Sequence, residues 1–128
     1  MPFEKIQPRN AFRTVGYSPV VRCGDTLYIS GQVARTPAGE LVGTGDGEAQ
    51  SRQVYRNLQA LLEELGGSLD DVVKMTTFLT RREDLEVSRA VRREFFPDPA
   101  PAHTLLFVAG LADPHFLIEV EAVAVLGG

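Results

Sequence analysis

The sequence predicts a small protein of mixed α and β structure, in which a sheet is backed on one face by two helices. Three observations predict it. Two stretches repeat apolar residues at helical spacing, several others are short and rich in β-branched residues, and the last two of these are apolar enough to expect cover on both faces. A chain of 128 residues that is 44% hydrophobic can bury one compact core and is too short for two comfortable ones, so residues 1–128 are read as one domain.

The elements follow in order. Val20-Val21-Arg22-Cys23, a Gly24-Asp25 turn and Thr26 to Val33 read as a hairpin. Thr36-Pro37-Ala38-Gly39-Glu40 marks a second turn. The glycines of Gly43-Thr44-Gly45-Asp46-Gly47 lack the lysine and the spacing of a phosphate cradle and read as a connector. Asp46 is a candidate N-cap for a helix carrying Val54, Leu58, Leu61, Leu62 and Leu65 on one stripe, stopped by Gly66-Gly67. Its polar positions Gln50, Arg52, Gln53, Arg56 and Glu63 are expected to form a solvated face. Asp71 to Thr80 reads as a central strand. A second helix enters through Thr80-x-x-Glu83 or an Asp84 cap, places Val87, Val91 and Phe95 on one stripe, and ends at Pro97 and Pro99.

His103 to Ala109 is apolar on both alternating faces, and Leu117 to Val125 puts Ile118, Val120, Ala122 and Ala124 on one side. Two helices cover one face of a sheet and cannot shield the other. Another subunit is therefore expected to supply the missing layer, which makes a homo-oligomer the expected state without fixing the number of subunits.

Composition narrows the function classes. A net charge of −4 and the absence of any Lys/Arg-rich run disfavour nucleic acid as a partner. No apolar run approaches the roughly 20 residues of a membrane span, and Met1-Pro2-Phe3-Glu4-Lys5 does not begin a secretory signal, so a cytoplasmic protein is expected. Cys23 is the single cysteine and is expected to act as a small core hydrophobe. His103 and His115, 12 positions apart with no cysteine nearby, match no metal-ligand spacing, and no motif calls for a cofactor.

The residues able to carry chemistry are few. Glu119 and Glu121 share one strand face about 7 Å apart, by two steps of strand rise. They read either as a solvated face or as carboxylates at a subunit boundary, where partial burial raises a pKa and equips a group to activate water. His103, at the start of its strand, reads as a structural or a cleft-facing histidine. His115 reads as a loop residue. Ser30 lacks the G-x-S-x-G elbow and an assigned base, which gives nucleophilic catalysis little support. Tyr17, beside Gly16 and Pro19, is an aromatic plug or a pocket wall.

From Gly16-Tyr17-Ser18-Pro19 to the last strand, the chain resembles the Rid family (reactive intermediate deaminase, YjgF-like, endoribonuclease L-PSP). The resemblance rests on Leu27-Tyr28-Ile29-Ser30-Gly31-Gln32, on Gln50-Ser51-Arg52-Gln53-Val54 with Asn57-Leu58, on Leu69 to Leu79, and on Ile118 to Ala124, in order and spacing. It implies a chorismate-mutase-like α+β fold, a mixed β-sheet backed by two α-helices, and a homotrimer formed through the other face, with three clefts between subunits. In active members the cleft holds the carboxylate of an imine or enamine derived from an amino acid, and water releases ammonia to leave a 2-keto acid. By position, Tyr17, Ser30 and Gly31 would line the cleft and Glu119 would orient or activate the water.

One departure stands at the anchor. The family's Pro-Ala-Arg-Ser/Thr is Pro101-Ala102-His103-Thr104 here. Arginine grips a carboxylate through two parallel hydrogen bonds and is always charged, whereas an unperturbed imidazole, with a pKa of about 6.5, is largely neutral at cytosolic pH unless a bound carboxylate or a nearby Glu119 raises it. Leu105 stands where some members carry a cysteine, and Arg89 lies close to a cleft asparagine of others; both are carried over as substrate-binding candidates. Arg89, with Arg92 and Arg93, otherwise reads as a solvated basic face. Members without the arginine resemble subgroups lacking the standard deaminase activity. Three functions follow: a hydrolase of small imines or enamines, a non-catalytic binder of small metabolites, and, disfavoured by the acidic balance, a ribonuclease.

Overall fold

The computed structural model describes residues 2–127. Six strands, β1 (Glu4–Ile6), β2 (Val20–Cys23), β3 (Thr26–Val33), β4 (Val72–Leu79), β5 (Ala102–Phe107) and β6 (Ile118–Val125), form one mixed sheet in the order β1-β2-β3-β6-β4-β5. All neighbours are antiparallel except β4 and β5. That parallel pair needs a crossover, supplied by α2 (Leu85–Phe95), while α1 (Gly47–Glu64) connects β3 to β4. The short edge strand β1 was not anticipated from sequence.

Local signals explain most of the boundaries. Gly24, at φ +61°, turns the β2–β3 hairpin. Asp46 caps α1 by accepting the Ala49 N–H at 3.0 Å, and Gly66, at φ +87°, follows its last turn. Asp84 precedes α2 without capping it, because its buried carboxylate accepts two hydrogen bonds from Arg81 at 2.8 and 2.9 Å.

Both helices lie on one face of the sheet. Val54, Leu58, Leu61 and Leu62 of α1 and Val91 of α2 pack on Leu27, Ile29, Met75, Leu79, Ile118, Val120, Ala122 and Ala124. Truncating one such leucine to alanine would cost about 2–5 kcal/mol. Gln50 does not belong to a solvated face: it is fully buried. Its amide donates to the Gly43 and His115 carbonyls at 3.0 and 2.8 Å and its Oε1 accepts the Leu117 N–H at 2.8 Å. This side chain joins the connector before α1 to the start of β6. Arg52 is likewise engaged, bridging α1 to α2 through both Glu94 oxygens at 2.9 Å. Cys23, expected in the core, is only partly buried on β2.

The other face carries no helix. Tyr28 (52% exposed) and Leu106 (45%) stand on it, with Thr76, Glu121 and Val123 lining a shallow depression there. Among the described residues no helix is long and apolar enough to cross a membrane.

Candidate functional site

The site at Glu119 starts from a fault in the ladder. Ile29 pairs with Ala122 and Gln32 with Val120, so Ser30 and Gly31 together oppose Glu121 alone. Such a two-against-one bulge bends the strand and re-aims its side chains. The Ser30 N–H donates to the Pro19 carbonyl at 2.9 Å and its hydroxyl to the Ser18 carbonyl at 2.7 Å, which fastens the segment carrying Tyr17 to the bulge. Ser30 is thus a tether with its proton already committed, not a nucleophile. Gly31 leaves space that Glu119 fills: a Cβ at residue 31 would overlap Glu119 Oε2 and lie 2.6 Å from its Cδ.

Around this pair opens a cleft of about 710 Å³, lined by Tyr17, Ser30, Gly31, Arg35, Phe116 and Glu119 among others. Glu119 is half-buried. Burial pushes its carboxyl above the usual carboxylate range, Glu121 adds to the rise, and Arg35 opposes it. A carboxylate so placed is a stronger proton acceptor than a free one, and it faces an open, partly apolar cavity.

His103 lies elsewhere. It is paired with Met75 on β5, beside α2 and on the helix-covered side, whereas Glu119 projects from the open side. Its Nε2 is 2.8 Å from Thr77 Oγ1 and 3.5 Å from Arg92 Nη1. The donor-only Arg92 guanidinium beside Nε2 favours the tautomer with the ring proton on Nδ1, which leaves the single Nε2 lone pair to accept the Thr77 hydroxyl. Burial, then the charges of Arg92, Lys74 and Arg89, hold the imidazole down at about 4. Within the chain no carboxylate contributes to this shift, and three cations push the pKa down. Beneath Thr77 the Tyr55 phenol is fully buried and pushed up to about 12, chiefly by burial.

The residues singled out from sequence therefore fall into two groups. Tyr17, Ser30, Gly31 and Glu119 share the cleft. His103 and Leu105 lie along β5 on the helix side, next to Arg89, whose guanidinium is paired with Glu86 at 3.0 Å. Arg92 is not part of a free basic face, because it is half-buried against His103. His115 is a loop residue as expected, bonded to Asp113. Sequence reasoning missed Phe12, Arg35 and Phe116 as cleft walls. Arg35 had one usable signal, its position four residues beyond a Ser-Gly pair that interrupts a strand.

Comparison with known proteins decides the relationship. The family model described as Endoribonuclease L-PSP matches residues 9–126. The chain belongs to this family, the Rid family. A RutC family protein of Pyrococcus horikoshii is 39% identical, the match covering 94% of this chain and 96% of that one. A protein of Dermatophagoides farinae named 2-iminobutanoate/2-iminopropanoate deaminase is 32% identical, covering 86% and 85%. Among solved structures, RidA from the Antarctic bacterium Psychrobacter sp. PAMC 21119 superposes with a TM-score of 0.88 at 37% identity, covering 96% of this chain and 99% of that one. The Rid fold, a mixed sheet backed by two helices, is accordingly the fold of this chain.

Proposed function

We propose that this Rid protein hydrolyses small imines or enamines to the keto compound and ammonia, with Glu119 as the catalytic residue. The observation that carries this reading is Glu119 itself, a half-buried carboxylate with a raised pKa seated over Gly31 in an open cleft. The deaminase name of one relative supports it.

The chemistry asks little of the protein, because an imine carbon is already electrophilic. As a water oxygen bonds to the carbon of the protonated imine, Glu119 takes one of the water's protons and the C=N electron pair moves to nitrogen, giving a neutral carbinolamine. Glu119 then returns that proton to the nitrogen, the carbon–nitrogen bond breaks, and the hydroxyl proton passes to solvent as the carbonyl forms. Ammonia leaves and no cofactor is consumed. Holding water and substrate in register supplies the rate.

The family's homotrimer is the proposed assembly. A second copy would cover the exposed Tyr28 and Leu106 and extend the cleft with residues of its own. The β5 edge with His103, Leu105 and Arg89 is the proposed contribution of that neighbour.

The test uses a freshly generated 2-imino acid. Purified protein is expected to release ammonia faster than buffer alone. Wild type indistinguishable from buffer defeats the hydrolase reading. A neutral His103 favours a second reading, in which the cleft binds a metabolite and breaks no bond. A native-state binder raises apparent stability by mass action, so ligands that shift the melting temperature without turnover would mark that outcome.

A further inference from the structure

If position 103 holds no cation, a carboxylate-bearing substrate needs another. We infer that Arg35 is the carboxylate-anchoring residue of the Glu119 cleft, standing in for the cation that position 103 lacks. The inference rests on the hydrolase reading for its substrate class, but on Arg35's own geometry for the anchor.

Arg35 lies two residues past the end of β3 and four past the bulge, and its backbone is fixed from three sides. Asn57 of α1 donates to the Val33 and Arg35 carbonyls at 3.1 and 2.8 Å, the Arg35 N–H donates to Val33 at 2.8 Å, and Arg35 forms an isolated bridge with Leu41. The guanidinium lies 3.6 Å above the centre of the Phe12 ring, with Phe116 at 6.0 Å. Stacking of this kind holds the plane of an arginine while leaving its hydrogen-bonding edge free.

Its charge is not spent on a neighbour. Among the described residues no carboxylate oxygen lies within 4.0 Å of an Arg35 nitrogen, although most other partly buried arginines are paired. Glu119 lines the same cleft and feels the Arg35 charge, yet the two do not close into an ion pair. A fixed guanidinium and a proton-accepting carboxylate thus face one cavity with room between them. A 2-imino acid, whose carboxylate is bonded directly to the reacting carbon, spans that arrangement: the fork takes the carboxylate and Glu119 serves the adjacent carbon. Arg13 also reaches the rim, but it is exposed and has no such support.

The experiment measures binding rather than turnover. Titrate wild type, Arg35→Gln, Arg35→Lys and Arg13→Gln with 2-oxobutanoate and with its uncharged amide, after confirming by circular dichroism that each is folded. Loss of a charge-assisted fork should weaken 2-oxobutanoate by about 10- to 100-fold in Arg35→Gln, with an intermediate loss in Arg35→Lys. The amide should bind alike to both wild type and Arg35→Gln. Equal binding of 2-oxobutanoate by wild type and Arg35→Gln overturns the assignment, as does a loss confined to Arg13→Gln or absence of millimolar binding by wild type. Arg35-dependent binding without turnover would defeat the hydrolase reading and leave the anchor standing. Turnover of a 2-imino acid that ignores Arg35→Gln would do the reverse.

Discussion

The carboxyl group of Glu119 occupies the space where residue 31 would carry a side chain, and only glycine leaves that space free. The backbone of Gly31 is not left-handed, so glycine is required here for room and not for conformation. Gly31→Ala should push Glu119 out of place. A displacement of about 1 Å near reacting atoms can cost about 100-fold in rate, whereas overpacking costs about 1–3 kcal/mol of stability. Steady-state kinetics beside a melting curve would show a folded protein with much reduced kcat/KM; unchanged kinetics would mean that Glu119 does not need this seat.

Glu119 should also cost stability. An acid whose folded pKa is raised keeps its proton in the native state after the unfolded chain has released it. The penalty is therefore absent below the ordinary glutamate value and develops as pH rises through the raised one. Glu119→Gln is expected to melt higher than wild type at pH 7 to 8, with the difference fading towards pH 4. A variant equally or less stable at neutral pH would show that burial does not strain this carboxyl.

His103 runs the opposite way along the pH axis. Its folded pKa, held at about 4, lies below the reference value of about 6.5. The unfolded chain takes up a proton first, so native stability falls as pH drops from about 6.5 to about 4. An NMR titration of the His103 ring should show a midpoint near 4. A midpoint above 6 would mean that a carboxylate faces the imidazole, which would restore it as an anion anchor.

Gln50→Ala should be costly for a surface-like substitution. It removes three hydrogen bonds and leaves the buried Leu117 N–H without an acceptor, a loss of about 2–4 kcal/mol. Urea denaturation would register it as a lower midpoint with an unchanged slope.

Much of this fold could be read from residues alone, because periodicity, caps and turn glycines act locally. Val54 to Leu62, Asp46 and Gly66 do in the structure what their types and spacing predict. The alternation of β6 likewise put Glu119 opposite Ile118 and Val120. What escaped depends on tertiary partners. Gln50 has the chemistry of a surface residue and is buried only because two carbonyls and one N–H converge on it. His103 and Glu119 come from strands separated by β4, and nothing local says which side of the sheet β5 turns towards the helices. Arg35 became visible as a cleft residue only once the Ser30-Gly31 bulge and the Phe12 ring were in place.

The most direct test of the account compares wild type with Glu119→Gln for ammonia release from freshly generated 2-iminopropanoate, each corrected for the spontaneous reaction. General acid–base catalysis by a positioned side chain is worth about 100- to 10,000-fold, so Glu119→Gln should retain at most about 1% of the wild-type excess while remaining folded. A Glu119→Gln protein that hydrolyses the imine as fast as wild type would contradict the central role assigned to this carboxylate.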